Sequence, residues 1–310
     1  MKQKILIAVD AGGTKTEYCA KSLPDGKMRN YTYGGSNYKT IGLKQTKNNL
    51  IEGFQAVCKA EQIKPEDVKL AVFGIAGCDT KEDLDIYSDM IKSIGLNENI
   101  IHIYNDCELA FLAIADPPGL CIVAGTGSNC MAFQKNKPMI RAGGWSALLS
   151  DGGSGYWIAR QVMEEMLLCY DGIGPDRPVY ERIAQHFDIR EKDEIPNRFT
   201  VMNVPDIASA ARTILESAED GDEYALSVIK SAHEELLKFM TLLVQRMRYS
   251  EDEELSIVLN GSLFSNDLFT NQFSEELTKR VPNKLSIKIA DKHTSDNAMI
   301  LAQKIHKAQA

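Results

Sequence analysis

The sequence lacks the features that mark several large classes of protein. Its seven cysteines include no Cys-x-x-Cys pair, which argues against a disulfide framework and against a zinc or iron–sulfur site. No segment approaches the roughly 18 uninterrupted apolar residues that a membrane-spanning helix needs. The first apolar run, residues 5–9, stops at Asp10 and is too short for the core of a signal peptide. We therefore expect a cytoplasmic protein that does not enter a membrane.

Basic charge is also scarce. The chain carries 35 lysines and arginines against 43 aspartates and glutamates, a formal net charge of −8. Because nucleic-acid binding depends on neutralising phosphates and no Lys/Arg-rich run is present, we expect no nucleic-acid partner. What is present is the composition of an ordinary globule: 310 residues, of which 44% are hydrophobic. This length predicts about two domains of ~150 residues each.

The hydrophobic pattern predicts two successive α/β units that each open with three strands. Tandem prolines at 117–118 separate the units, because they oppose continuation of the preceding helix. The predicted strands are 4–9, 16–22, 27–33, 69–74, 100–104, 119–124, 129–134, 138–142, 255–260 and 285–290. The predicted helices are 42–60, 81–94, a short one ending at 115, 154–170, 178–187, 205–218, 222–248 and 294–308. The two units match in pattern but show no residue-level repeat.

Each unit has a glycine-rich loop between its first two strands, at residues 10–16 and 125–128. Glycines allow tight turns that bring backbone N–H groups close to an anion, and neighbouring hydroxyls and lysine suit phosphate. Neither loop is a Walker A motif, and no G-x-G-x-x-G follows a strand, so P-loop and Rossmann sites are not expected. Each loop alone is also consistent with a hairpin turn. Two such loops at equivalent positions predict a site for the phosphates of a nucleotide.

Seven segments carry a resemblance to a known family. They are VDAGGTKTE (9–17), GGSNYKTIG (34–42), GIAGCD (74–79), YNDCELA (104–110), AGTGSNC (124–130), GGWSALLSDGGSGYWIARQ (143–161) and LNGSLF (259–264). In this order they resemble the BadF/BadG/BcrA/BcrD-type ATPases of the sugar kinase, heat-shock ATPase and actin superfamily, and most closely the N-acetylglucosamine kinases.

The resemblance implies an α/β fold of two duplicated ribonuclease-H-like domains, the actin-like ATPase fold, with a cleft between them. Residues 1–116 with 293–310 would form a sugar and phosphate domain, and residues 117–292 a nucleotide-binding domain. ATP and Mg²⁺ are the implied cofactors, and Asp10 would hold the magnesium ion through water. The residues implied to bind the nucleotide are Gly12, Gly13, Thr14, Lys15, Thr126, Gly127, Ala208, Gly261 and Ser262. The alternative for the last two is an ordinary entry into a helix.

Asp106 is implied to be the catalytic base that accepts the proton of the attacking sugar hydroxyl. It stands where a predicted strand ends and a helix begins, so a helix N-cap is the structural alternative, and both roles can coexist. The residues implied to contact the sugar are Asn37, Asp106, Gly144, Trp145 and Asp151.

The chain departs from the family pattern at two places beside the implied sugar site. The kinases read Gly-Trp-Gly-His where this chain has Gly-Trp-Ser-Ala at 144–147, and Asp-Glu-Gly-Ser where it has Asp-Gly-Gly-Ser at 151–154. Loss of a histidine and a glutamate predicts a roomier and less polar pocket. Such a pocket would accommodate N-acetylmuramic acid, whose lactyl ether adds bulk.

The preferred interpretation is an ATP-dependent kinase for the 6-hydroxyl of an N-acetylated hexosamine, with a small-molecule amino sugar as partner. One alternative is a glucosamine kinase. Another is the ATPase activator of a radical dehydratase, which needs a cysteine-ligated iron–sulfur cluster. A sugar-responsive transcription regulator is less consistent with the sequence, because no helix-turn-helix pattern precedes the first strand. Related kinases are often dimers, so the resemblance also implies a homodimer.

Overall fold

The computed structural model describes residues 4–13, 15–135, 137–290 and 294–309. The chain forms two compact units, one of Met1–Ala115 with Lys292–Ala310 and the other of Asp116–Asp291. Each unit contains one five-stranded sheet. Among the described residues, no helix is both long enough and apolar enough to cross a membrane.

The elements are numbered in chain order. The strands are β1 (Ile5–Ala11), β2 (Lys15–Ser22), β3 (Met28–Gly34), β4 (Val68–Ile75), β5 (Ile101–Asn105), β6 (Gly119–Ala124), β7 (Ser128–Phe133), β8 (Ile140–Gly143), β9 (Leu255–Asn260) and β10 (Leu285–Ile289). The helices are α1 (Tyr38–Ile41), α2 (Leu43–Glu61), α3 (Lys81–Lys92), α4 (Asp106–Ile114), α5 (Gly155–Tyr170), α6 (Pro178–His186), α7 (Ile195–Phe199), α8 (Val204–Glu219), α9 (Glu223–Met247), α10 (Asp267–Arg280) and α11 (Thr294–Ala308).

The first sheet has the order β3-β2-β1-β4-β5, with β1, β4 and β5 parallel and β2 antiparallel to both of its neighbours. Both faces of β1 are covered, which is why its sequence is continuously apolar rather than alternating. Ile7 and Val9 face the core that α2 and α3 complete, whereas Leu6 and Ala8 face the core shared with α4 and α11. The carboxyl ends of the three parallel strands therefore meet at one edge of the sheet.

The second sheet has the order β8-β7-β6-β9-β10, again with two antiparallel pairs, β8 with β7 and β7 with β6, followed by two parallel pairs. Counted from the start of its unit, this is the same strand order as in the first sheet. The duplication predicted from the pattern is therefore confirmed at the level of topology.

The observed elements agree with the sequence-based assignment in most places. Every predicted strand and helix is present, with bounds within two residues of those predicted. The assignment gave no bounds for α1, α7 and α10. The first two have only four and five residues, too few to show a helical period. By contrast, α10 buries Phe269, Phe273 and Leu277 at a spacing of four, a signal that was present in the sequence.

Candidate functional site

Polar residues gather where the parallel strands of the first sheet end. Asp10 stands one residue before the end of β1 and pairs in register with Gly74 of β4. Gly74 in turn pairs with Tyr104 of β5, directly before Asn105 and Asp106. Ends of parallel strands are the usual place for ligand sites in α/β sheets. This edge of the first unit is therefore a candidate site.

Asp106 is the first residue of α4 rather than its N-cap. The cap is Asn105, whose Oδ1 accepts a hydrogen bond from the Cys107 N–H at 2.8 Å. The Asp106 Oδ1 also accepts from this N–H, at 2.9 Å. Burial raises the pKa of Asp106 to about 6, and the nearby charge of Asp79 acts in the same direction. Because Asn105 is the cap, the N-cap alternative for Asp106 is wrong. Because its pKa is raised, the carboxylate of Asp106 is a stronger base than that of an ordinary aspartate.

A hydrogen-bonded network fixes the loop after β4 beside this carboxylate. The Asn105 Nδ2 donates to the Asp79 Oδ1 at 3.0 Å, and the Lys39 Nζ lies 3.5 Å from the Asp79 Oδ2. Lys39 also donates to the Gly77 carbonyl at 2.7 Å and to Asp83 at 3.0 Å. The sequence analysis did not single out this network, although 74–79 is one of the family segments.

Asn37 is held against the same loop. It is the N-cap of α1, and its Oδ1 accepts from the Lys39 N–H at 3.0 Å. Gly77 has a φ of +82°, and a Cβ built on it would lie 3.0 Å from the Asn37 Nδ2. Asn37 therefore lies on one side of the 77–79 loop. Within that loop, Asp79 accepts a hydrogen bond from Asn105, the residue directly before Asp106.

The first glycine-rich loop is closed by its own backbone. The Gly12 N–H donates to the Lys15 carbonyl at 3.0 Å, and the Gly12 carbonyl accepts from the Ser36 N–H at 2.8 Å. Gly13 has room for ordinary contact, since a Cβ there would lie 3.5 Å from the Thr40 Oγ1. Thr14, which the resemblance assigns to phosphate, lies outside the described residues.

The ammonium of Lys15 is engaged within its own strand. Its Nζ lies 2.7 Å from the Glu17 Oε1, and this hydrogen bond raises the pKa of Lys15. The lysine side chain is exposed, so its charge remains available to solvent and to an anionic ligand near the loop.

The second glycine-rich loop is fixed on the first turn of α5. The Gly155 N–H donates to the Gly125 carbonyl at 2.7 Å, and the Tyr156 N–H donates to the Thr126 carbonyl at 3.2 Å. The loop closes on itself through the Gly125 N–H and the Gly127 carbonyl, 2.9 Å apart. These bonds satisfy helix N–H groups that would otherwise have no partner and hold the loop rigidly.

A cavity of about 720 Å³ opens beside this loop. Thr126, Ala208 and Ser262, which are far apart in the sequence, all line it. The remaining lining residues are Gly125, Gly155, Pro205, Ser209, Ala211, Arg212, Leu215, Glu216, Glu219, Leu263, Ser265 and Asn266. The volume lies within the range of small-molecule sites, and the mixed apolar and polar lining fits a base with its ribose.

Gly261 connects the end of β9 to Ser262, which lines this cavity. The backbone at this position requires glycine. Its φ of +105° is a conformation that other residues rarely adopt. A Cβ at this position would also strike the backbone of Ala124. The close packing brings Ser262 next to Gly125, where a Cβ would lie 3.6 Å from the Ser262 Oγ.

The turn that follows β8 holds the other implied sugar contacts. The Trp145 N–H donates to the Ser150 Oγ at 2.9 Å, and the Ser150 hydroxyl donates to the Asp151 Oδ1 at 2.9 Å. The Asp151 Oδ2 accepts from the Ser128 N–H at 3.2 Å. Gly144 has a φ of +69° and packs on Asn129. The side chain of Trp145 is 75% exposed, so it is not part of the core.

Asn129 is a polar residue that the sequence analysis missed. It pairs in register with Gly143, one residue before Gly144. Its Oδ1 is buried and has no hydrogen-bond partner among the described residues. Buried polar atoms usually have partners, so this amide is a candidate ligand contact. The only sequence signal was its position directly after the second glycine-rich loop.

The expectation of extra space beside the sugar site does not hold at Gly152. The absence of a side chain at Gly152 was expected to leave a roomier and less polar pocket. A Cβ built on Gly152 would instead lie 3.0 Å from both the Cβ and the Oε2 of Glu235 on α9. The space beside Gly152 is therefore filled, and it is filled by a carboxylate that another element supplies.

This arrangement predicts strong coupling between positions 152 and 235. Gly152→Glu alone should lower the free energy of unfolding by about 1–3 kcal/mol, because two side chains then compete for one space. Combining it with Glu235→Ala should recover most of that loss. Thermal and urea unfolding of both single variants and the double variant form the cycle that measures this coupling. Purely additive effects would contradict it.

Comparison with known proteins identifies the family. Residues 7–298 match the BadF/BadG/BcrA/BcrD ATPase family, and the chain belongs to it. The chain is 25% identical to the N-acetyl-D-glucosamine kinase of Dictyostelium discoideum, over 91% of this chain and 93% of that protein. It is also 25% identical to the N-acetylmuramic acid/N-acetylglucosamine kinase of Clostridium acetobutylicum, over 97% of this chain and 98% of that protein.

The fold is also found in solved structures. A crystal structure of a protein from Chromobacterium violaceum has a TM-score of 0.72 at 17% identity, covering 98% of this chain and 100% of that one. At this identity the likeness establishes the fold alone. Together with the two sheets of equal strand order, it confirms the expected α/β fold of duplicated ribonuclease-H-like units.

Proposed function

We propose that the protein is an ATP-dependent kinase that phosphorylates the 6-hydroxyl of an N-acetylated hexosamine. The observation that carries this proposal is Asp106, a carboxylate at the end of a parallel strand with a pKa raised to about 6. At neutral pH it is ionised and still a better proton acceptor than an ordinary aspartate. Membership of an ATPase family supports ATP as the phosphoryl donor.

The first unit would activate and hold the sugar. Asp106 accepts the proton of the 6-hydroxyl as the hydroxyl oxygen forms its bond to the γ-phosphorus, while the bond to the leaving ADP oxygen breaks. Asn37, which lies against the 77–79 loop, holds neighbouring hydroxyls. Phosphoryl transfer depends mainly on position and charge, so this placement supplies much of the effect.

The nucleotide would be held by both glycine-rich loops and the cavity of the second unit. Thr126, Gly127, Ala208, Gly261 and Ser262 form the binding surface for the nucleoside and its phosphates. The family resemblance implies that Gly12, Gly13, Thr14 and Lys15 would also contact the phosphates. Asp10 would hold a magnesium ion through water, which would suit a cation that prefers oxygen ligands and retains its waters. The bound ion and nucleotide supply charge neutralisation and the phosphoryl group.

The acetamido end of the sugar would lie against the turn after β8. Gly144 and Trp145 supply backbone and wall contacts, Asp151 accepts from a ring substituent, and Asn129 offers its buried amide. The names of the two relatives, both kinases of N-acetylated amino sugars, support this choice of substrate class. A homodimer and a cytoplasmic location stay predictions.

The cysteines favour the kinase over an iron–sulfur activator. Six of the seven are buried, and Cys169 is half-buried. Burial raises the pKa of Cys19 and of Cys58 to about 11, and that of Cys78 to about 12. Burial therefore favours the thiol form of these three residues over the thiolate that binds a cluster.

The experiment that tests the function is a substrate panel with the purified protein and Mg·ATP. N-acetylglucosamine, N-acetylmuramic acid, glucosamine, glucose and no sugar are compared for ADP release and for a phosphorylated product. N-acetylglucosamine should stimulate ADP release, and its 6-deoxy analogue should not. Equal release with and without sugar would overturn the kinase assignment and favour an ATPase coupled to a partner. Preference for glucosamine would overturn the N-acetylated substrate.

The charge of Asp79 gives a prediction about pH. In the wild type, kcat/KM should rise with pH through about 6, because Asp106 must lose its proton to act as base. Asp79→Asn removes a neighbouring negative charge and leaves Lys39 nearby, so the pKa of Asp106 falls and the acid limb moves to lower pH. Asp89→Asn, on the exposed face of α3, is the matched control. An acid limb that stays in place in Asp79→Asn would contradict the assignment.

A further inference from the structure

The cavity of the second unit has a polar end that the proposed mechanism does not use. One face of α8 forms a wall of this cavity, from Ala208 through Leu215 to Glu219. Ala208 stands beside the second glycine-rich loop, because a Cβ built on Gly155 would lie 3.4 Å from its carbonyl oxygen. A helix rises about 1.5 Å per residue, so Glu219 lies roughly 16 Å further along α8. Glu219 is therefore at the end of the cavity away from the loop assigned to phosphate.

Asn266 fixes the carboxylate of Glu219 at this end. Asn266 is the N-cap of α10, and its Oδ1 accepts a hydrogen bond from the Phe269 N–H at 3.0 Å. Its Nδ2 donates to the Glu219 Oε1 at 2.8 Å. The amide cannot turn over without losing the cap bond, so its NH₂ group faces Glu219. Both side chains line the cavity and are held by two different helices.

The pair offers a ligand an acceptor beside a donor. A carboxylate only accepts hydrogen bonds, and an amide nitrogen carries two hydrogens, of which Glu219 takes one. Adenine presents the complementary pattern, an amino group that donates beside a ring nitrogen that accepts. Hypoxanthine and guanine carry an oxygen in place of that amino group. A carboxylate oxygen repels this oxygen, so the pair distinguishes the two kinds of purine.

We propose that Glu219 and Asn266 form the subsite that recognises the base and selects adenine over 6-oxopurines. Glu219 accepts from the amino group, and the second hydrogen of the Asn266 amide goes to the neighbouring ring nitrogen. This inference rests on the proposed function, which names ATP but not the residues that choose its base. Glu216 is the other carboxylate of the cavity, and its charge is paired with the Arg212 Nε at 3.2 Å.

The test is calorimetric binding of ADP, IDP and GDP. Wild type should bind ADP about tenfold or more tightly than IDP and GDP, the lower end for a hydrogen bond to a charged group, because Glu219 is exposed. In Glu219→Gln the amide oxygen accepts from Asn266, which turns the NH₂ group toward the base. This variant should bind IDP at least as tightly as ADP. Asn266→Ser keeps a helix cap and removes the donor, so it should reduce the preference for ADP without favouring IDP.

Glu164→Gln is the matched control, since Glu164 is an exposed glutamate of α5 that pairs with Arg160. It should keep the wild-type order of nucleotides. Equal weakening of ADP and IDP by Glu219→Gln would overturn the subsite, and so would a wild type that does not prefer ADP. Binding needs neither sugar nor turnover, so the two claims fail separately. If the preference for ADP depends on Glu219 but no sugar is phosphorylated, the subsite stands and the kinase assignment falls. If ATP and ITP phosphorylate the sugar equally well, the kinase assignment stands and the subsite falls.

Discussion

Asp106→Asn should lower kcat by about 10²–10⁴-fold, the usual effect of losing a general base. The substitution preserves shape, and an asparagine oxygen can still accept from the Cys107 N–H that Asp106 now bonds at 2.9 Å. The nucleotide cavity lies in the other unit, so the Kd for ATP should change little. Rapid-quench and steady-state rates, together with nucleotide binding by calorimetry, measure both quantities.

The same substitution should make the protein more stable, which separates a catalytic role from a structural one. The pKa of Asp106 is about 6 in the folded protein, against about 3.9 for aspartate in an unfolded chain. Both states are protonated below pH ~3.9, and the wild type loses stability as pH rises from there through about 6. Because two pKa units correspond to about 3 kcal/mol at most, Asp106→Asn should gain about 1–3 kcal/mol at pH 7.5.

Asp89→Asn again serves as control and should change neither rate nor stability measurably, because its carboxylate is exposed. If Asp106→Asn retained near wild-type turnover, Asp106 would not be the base. If it lost activity and stability together, the residue would be a structural element of the α4 N-terminus.

Gly261→Ala should raise the KM for ATP about tenfold or more while leaving the sugar contacts of the first unit intact. The backbone at φ +105° costs a non-glycine residue about 1–3 kcal/mol. The added methyl group would also press on the Ala124 backbone and displace Ser262, which lines the cavity. Steady-state kinetics with varied ATP and thermal unfolding measure the two effects.

Gly221→Ala separates conformational strain from the steric clash. Gly221 has a φ of +89°, and a Cβ there would meet nothing within 4 Å. This variant should lose about 1 kcal/mol of stability from its backbone conformation, with no change in the KM for ATP. If both glycine variants had the same KM as the wild type, the cavity beside Ser262 would not be the nucleotide site.

The fold could be predicted because its signals are local. Continuously apolar runs such as 5–9 and 119–124 are typical of strands that are buried on both faces, and the prolines at 117–118 end a helix wherever it packs. The repeated order of three strands followed by helices then defined two similar units. Short helices such as α1 and α7 carry no such period, and only the tertiary structure establishes them.

The site was predictable where residues sit at strand ends and unpredictable where distant side chains meet. Asp106 and both glycine-rich loops directly follow strands, so chain position alone placed them at a sheet edge. The contact between Gly152 and Glu235, by contrast, joins a turn to a helix far along the chain. The same holds for the ion pair of Lys39 with Asp79. Such contacts depend on packing angles that local patterns do not contain.

The last helix has a consequence for the order in which the chain becomes structured during synthesis. Met299 and Ala302 of α11 complete the core against Leu6 of β1, and the Lys304 Nζ donates to the Leu112 carbonyl at the end of α4. The part of this sheet face that α4 does not cover therefore stays exposed until α11 has left the ribosome. The second unit, which lies wholly between residues 116 and 291, can close its core earlier. The first unit to be translated is thus the last to be completed, and its bare apolar face is the one that chaperones would meet.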